Sequence, residues 1–193
     1  MEVYGDDYHI APYHPGLSKM VSLKHLKVTT GEHWHIQTIG ATEILDGKTT
    51  PFYELWRKKC LEHGNGKLPK YGAVWLAYYP NIMVEIYPYT MTISTLHPIS
   101  PSETMNVVEF FYHEDVSEAL IDAEQAAYME TAREDDDIAE RMDTGRSILH
   151  ENKEHWNLSD DEVYWPCHPH LEKWTEHFME WWKGQMMMHK FSP

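Results

Sequence analysis

The sequence predicts an α+β fold, an antiparallel sheet with long helices packed on it. Three observations point there. Residues 73–112 hold the strings AVWLAYY, NIMVEIYPYTMTISTL and TMNVVEFFYH, rich in aromatic and β-branched side chains, which is the composition of strands. Within them Ile82, Val84 and Ile86 alternate with Met83, Glu85 and Tyr87, and Met91, Ile93 and Thr95 with Thr92, Ser94 and Leu96. Such alternation buries one face and leaves the other solvated or covered by helices, the habit of antiparallel sheets. Residues 115–150 then contain no proline and one glycine near the end, so they read as a long helix.

Taken in order, the first 24 residues mix apolar and polar types around Pro12, Pro15 and Gly16. A helix is expected to end near Ile10, turn through the prolines and resume after Gly16, because proline lacks a backbone donor and clashes with the preceding turn. Residues 26–45 read as extended in pieces, interrupted by TTGEHWH. In PFYELWRKKCLEH, residues 51–63, Phe52, Leu55, Trp56 and Cys60 share a helical face, and Pro51 suits a first turn. GNGKLPKYG is a loop. The long helix carries an apolar stripe at Leu120, Ala123, Ala127 and Thr131, continued by Ile138, Met142 and Ile148 and interrupted by the acidic run EDDD. After a polar loop over 151–170, the last segment is an amphipathic helix with Trp174, Phe178, Trp181 and Gln185 one turn apart. No internal repeat or linker breaks the 193 residues, which are read as a single domain, 1–193.

Composition narrows the function. Sixteen basic against 31 acidic side chains leave a formal charge of −15, which disfavours nucleic acid and anionic membrane surfaces, both polyanions. The Trp- and Met-rich tail presents Glu172, Glu176 and Glu180 rather than the basic face of a membrane-surface helix. No secretory leader or spanning segment is legible, so a soluble cytoplasmic protein is expected. The two cysteines, Cys60 and Cys167, stand in CLEH and CHPH. They are too few for a four-thiolate cluster, and a zinc site would have to join two distant halves.

The densest ligand chemistry lies in GDDYHIAPYH, Gly5–His14, where His9 and His14 form H-x4-H. On an ideal helix their side chains would diverge by about 140°. A break at Pro12 can swing the second ring back to the first. Two neutral imidazoles and one carboxylate, with positions left open, make the facial set of non-haem Fe(II) oxygenases. The carboxylate must come from elsewhere in the chain. His33 and His35, in HWH, alternate as on a strand and could share a face, a weaker metal candidate.

EVYGDDYHIAPYHPGL resembles the iron-binding segment in the catalytic domain of Rieske-type aromatic-ring-hydroxylating oxygenase large (alpha) subunits. The similarity continues through KYGAVWLAYYPNIMVEIYPYTMTISTLHPISPSETMNVVEFFYHED and QAAYMETAREDDDIAERMDTGRSIL. The resemblance implies the helix-grip (START-like) fold and a mononuclear Fe(II) held by His9, His14 and a carboxylate from the E-D string. Glu134-Asp135, followed by Ile138, Glu140 and Gly145, matches that string, so Asp135 is implied, with Asp136 as the alternative because three consecutive aspartates blur the register. Asp6, three residues before His9, is implied to act catalytically by coupling the iron to a Rieske cluster in a neighbouring subunit. A second carboxylate there would accept the free ring N–H of a ligand histidine and fix its tautomer.

The strand aromatics Trp75, Tyr78, Tyr79, Tyr87 and Tyr89 read mostly as core; the resemblance further implies O2 as co-substrate, an aromatic or other apolar small molecule beside some of them, and a homotrimer. Electrons would come from NAD(P)H through a reductase and a Rieske [2Fe–2S] cluster. The C-x-H and C-x2-H ligands of that cluster are not found in these residues, so the cluster is expected from a missing domain or a partner, and the chain reads as the catalytic part of a larger subunit. Mono- and dioxygenation stay equally open. The competing expectation is a helix-grip module that binds an apolar ligand without redox chemistry, or an inactive fragment.

Overall fold

The computed structural model describes residues 8–41, 49–100, 102–159 and 172–190, with residue 23 and residues 188–190 by backbone alone. Two compact units divide the chain, His9–Thr131 on one side and Met1–Tyr8 with Ala132–Pro193 on the other.

In the first unit two short helical turns, α1 (Ile10–Tyr13) and α2 (Leu17–Met20), lead into β1 (Val21–Thr30) and β2 (Trp34–Ala41). The helix α3 (Pro51–His63) follows, then β3 (Tyr71–Tyr78), β4 (Ile82–Tyr87), β5 (Thr90–Ser100) and β6 (Glu103–Tyr112), and then α4 (Glu118–Glu151). The six strands pair in chain order as one antiparallel meander, β1-β2-β3-β4-β5-β6. This is the expected α+β class. The first strand begins at Val21, five residues before the expected start, because α2 runs straight into it. The interruption expected at TTGEHWH is the connection between β1 and β2 at residues 31–33, with Trp34 and His35 already in β2.

The core joins the helical turns, three strands and both long helices of this unit: Ile10, Leu17, Met20, Val21, Ile39, Tyr53, Trp56, Cys60, Ala73, Leu120, Ala123 and Ala127 are all buried together. The predicted stripe on α4 is therefore packed at Leu120, Ala123 and Ala127, while its expected continuation reaches an exposed Ile148. On α3 the buried set is Tyr53, Trp56, Arg57 and Cys60, whereas Phe52 and Leu55 are exposed. The inward face is rotated from the expected one because Tyr53 and Trp56 pack edge to face, with ring centroids 5.6 Å apart, and the Tyr53 hydroxyl reaches Thr131.

The sheet resolves its alternation against the usual polarity. The buried positions include Gln37 on β2, Glu85 on β4, and Thr90, Thr92 and Ser94 on β5. Ile86, Met105, Val107 and Phe111 are exposed. The inner surface of the sheet is thus largely polar, and it must be satisfied by hydrogen bonds from what covers it.

In the second unit, α4 continues from Ala132 to Glu151, and α5 (Lys173–Lys190) carries half-buried Trp174, Phe178, Trp181 and Gln185. Phe178 and Trp181 stack with centroids 6.2 Å apart. The amphipathic spacing expected of this segment thus has a half-buried aromatic side. Tyr8 donates its hydroxyl to Glu172 Oε1 at 2.9 Å. Among the described residues no helix is long and apolar enough to cross a membrane.

Candidate metal centre

His9 and His14 bracket α1. Tyr13 N–H donates to the His9 carbonyl and His14 N–H to the Ile10 carbonyl, each at 2.9 Å. One helical turn is thereby closed across Pro12. Proline is tolerated because the first N–H groups of a helix have no intrahelical acceptor partner to lose. The backbone leaves the helix at His14, with φ −114° and ψ 75°, not between the histidines as expected. That departure turns the second ring back toward the first. Their centroids lie 5.1 Å apart, edge to face, and both side chains are buried.

The turn is anchored on both sides. Ile10, Leu17 and Met20 sit in the core. Gly16 lets the Tyr53 ring approach so closely that a Cβ there would lie 2.1 Å from Tyr53 Cδ2. Tyr53 in turn hydrogen-bonds Thr131, and Thr50 donates to Glu130. Asp135 stands one turn beyond Thr131 on the uninterrupted α4. Of the acidic quartet Glu134 and Asp135 are half-buried, while Asp136 and Asp137 are exposed, Asp137 pairing with Arg141 at 2.8 Å. One donor atom from each of His9, His14 and Asp135 lies within 4.8 Å of the other two, the one such group of His, Cys, Asp or Glu among the described residues. Metal bonds to nitrogen and oxygen donors are about 2 Å long, so three donors in that span suit a single ion.

The other candidates separate. His33 precedes β2, exposed, with Nε2 3.6 Å from Glu32. His35 is buried with Nδ1 3.0 Å from the Tyr79 hydroxyl. Burial, and secondarily the charge of Glu124, push the Cys60 thiol up to about 12, so it holds its proton and is a poor metal ligand. Asp6 and Cys167 lie outside the described residues.

A second cluster was missed in the sequence. Glu85 on β4 and Glu124 on α4 are both buried, 3% and 2% exposed. The Tyr87 hydroxyl donates to Glu85 Oε2 at 2.7 Å and accepts from Trp75 Nε1–H at 3.0 Å. The Tyr128 hydroxyl donates to Glu85 Oε1 at 3.2 Å, and the Tyr112 hydroxyl to Glu124 Oε2 at 2.6 Å. Burial raises the Glu124 carboxyl to about 7 and the Glu85 charge adds to the rise, opposed by the Tyr112 hydrogen bond. The signal was present: Glu85 interrupts an apolar strand, and Glu124 sits beside the stripe Leu120, Ala123, Ala127. Tyr87 and Trp75 pack against the core, as expected of most of the strand aromatics, and their polar atoms join this network. Tyr78 is exposed and Tyr79 buried.

Fold and residues together define a ring-hydroxylating oxygenase catalytic domain. The family described as "Ring hydroxylating alpha subunit (catalytic domain)" matches residues 1–187, and the chain belongs to it. It is similar to Putrescine 2-hydroxylase of Ralstonia nicotianae, 46% identical over 189 residues that cover 96% of this chain and 50% of that protein. Putrescine 2-hydroxylase of Bordetella bronchiseptica is 39% identical over 189 residues, covering 96% and 42%. The chain thus spans half or less of the length of these curated relatives. Among solved structures, the quaternary ammonium Rieske monooxygenase CntA in complex with an inhibitor superposes with a TM-score of 0.56 at 19% identity, over 75% of this chain and 34% of that one. That likeness bears on the fold, the α+β helix-grip class.

Proposed function

We propose that this chain is the iron-bearing catalytic domain of a Rieske-type monooxygenase that hydroxylates an aliphatic amine. The observation that carries the reading is the span of 4.8 Å or less among donor atoms of His9, His14 and Asp135. The donor set fits the metal: two imidazoles and one carboxylate leave positions open, as the facial set requires. Fe(II) held there would supply the oxygen-activating chemistry. The overall reaction balances as R–H + O2 + two electrons + two protons → R–OH + H2O. The electrons would come from NAD(P)H through a reductase and a Rieske [2Fe–2S] cluster carried by another part of the protein or by a partner.

The chain's own residues would hold the metal and exclude water. Burial of both imidazoles lowers the local dielectric and strengthens every charge interaction inside. Asp135 rather than Asp136 is favoured as the carboxylate by its partial burial. Asp6 would accept the second ring N–H of a ligand histidine and link it to the cluster. The substrate is put among aliphatic amines, not aromatic rings, because both curated relatives are named for putrescine. The polar inner face of the sheet agrees with that choice better than with a hydrocarbon.

The test is iron content after anaerobic loading with Fe(II) and removal of excess metal. Wild type should retain about one iron per chain, and His9→Ala, His14→Ala and Asp135→Asn should retain none. Full iron occupancy in His14→Ala would refute the assignment.

A further inference from the structure

We propose that the outer face of the sheet is an interface between two copies of this chain, packed face to face about a two-fold axis that runs along the strands.

The register lays two rows side by side on that face. One runs Lys27, Thr38, Val74, Ile86, Met91, Phe111 from β1 to β6. Its neighbour runs Thr29, Ile36, Leu76, Val84, Ile93, Glu109. A third row adds Trp34, Tyr78 and Ile82. Along the strands these positions alternate with Gln37, Glu85, Thr92 and Ser94, which are buried on the inner side. The polarity that sends those residues inward therefore sends the aliphatic ones out. Among the described residues, none of the three rows joins the buried core or the side chains packed against it. Tyr78, Ile86 and Phe111 are 48%, 46% and 43% exposed.

The face is large enough to matter. Strands about 4.8 Å apart, with same-face residues about 6.8 Å apart along each, give about 33 Å² per position and about 500 Å² for the three rows. Contiguous apolar surface of that extent marks an interaction site. Two such faces pressed together bury about 1,000 Å², the size at which specific interfaces begin.

Charge selects the occupant. The chain carries 31 acidic against 16 basic side chains, a net −15. The rows nonetheless hold one charge of each sign, Lys27 at the β1 edge and Glu109 at the β6 edge, both exposed, with uncharged side chains between them. A basic partner would be drawn to the acidic remainder of the surface instead. A second, equally acidic copy meets the first best where net charge is absent. Orientation follows from the two edges. A two-fold axis along the strands turns the second sheet over and reverses its strand order, so β1 of each copy lies over β6 of the other. Lys27 then faces Glu109 twice, offset by one row, about 7 Å along the strand. An axis across the strands would set each edge on itself, Lys27 against Lys27, and like charges oppose that. Aligned sheets packed this way stand about 10 Å apart with their side chains interdigitated. The contact is isologous, so it closes at two copies.

The experiment is sedimentation equilibrium on the full chain over micromolar concentrations, where wild type should dimerise reversibly. Ile86→Lys puts a charge in the middle of the face at a side chain already exposed, and should leave a monomer. Lys27→Glu and Glu109→Lys should each weaken the dimer by about tenfold or more, because the symmetry repeats every repulsion. Combining the two reversals should restore association to within about threefold of wild type. Circular dichroism checks that each variant is folded. Iron uptake, measured in parallel, should be the same in all of them, so failure of this interface leaves the metal assignment standing. A wild type that stays monomeric would overturn the proposal and leave the face to another part of the protein or to a different partner. Association that ignores Ile86→Lys, or single reversals that have no effect or are not rescued by the pair, would overturn it equally.

Discussion

Replacing Glu124 by Gln should make the protein more stable at alkaline pH and leave it unchanged in acid. The folded-state carboxyl is raised to about 7 from an ordinary 4.5, with burial as the main cause. A raised carboxyl pKa means the folded state disfavours the ionised form. Below pH 4.5 both folded and unfolded chains are protonated and no penalty exists. Between pH 4.5 and 7 the unfolded chain loses its proton first, so stability falls as pH rises, by about 1.4 kcal/mol per unit. Above pH 7 the full penalty stands, about 3 kcal/mol. Glutamine cannot ionise and keeps the bond from Tyr112, so Glu124→Gln should gain about 3 kcal/mol at pH 8 and close to nothing at pH 4.5. Urea denaturation followed by tryptophan fluorescence at both pH values measures the difference. Comparing variant with wild type cancels the titration of the 14 histidines. An equal effect at the two pH values, or destabilisation at pH 8, would refute the burial argument.

Other expectations follow from the same geometry. Asp136→Asn should retain iron in the loading assay, whereas Asp135→Asn should not, since Asp136 is exposed and Asp135 half-buried. Gly72→Ala should cost roughly 1–3 kcal/mol in urea melts, because a Cβ there meets the Gly40 carbonyl oxygen at 2.7 Å and Ala41 Cα at 2.9 Å, both backbone. Leu120→Ala should cost about 2–5 kcal/mol, as its side chain is 2% exposed within the core. Cys60 should resist a thiol-reactive dye in the folded chain at pH 8 and react on unfolding, its pKa being near 12.

Much of the architecture was legible because it rested on local rules. The α4 stripe at Leu120, Ala123 and Ala127 is buried as its spacing demands, and the middle strands fall where β-branched and aromatic residues cluster. The histidine pair was legible as a motif, but the reason its rings meet was not. The backbone departs at His14 rather than breaking at Pro12, a choice made by the packing of Ile10, Leu17 and Tyr53. The carboxylate needed family resemblance, since EDDD offers no register of its own. Helix rotation separates the aspartates only once α4 is packed, leaving Asp135 half-buried and Asp136 in solvent. The largest miss was the polarity of the sheet. Alternation reveals two faces without saying which is inside. The rule that apolar residues go inward fails here, where Glu85, Thr92 and Ser94 are buried and Ile86 is exposed.

An unbroken α4 also works as a measuring rod. Inserting one residue between Glu124 and Asp135 would leave their side chains about 120° apart, whereas inserting four would lengthen the gap by about 6 Å and bring them within about 60° of alignment. Which side chains share a face with Asp135 would therefore change in whole-turn steps, recorded in the residue count of a single helix rather than in the shape of any loop.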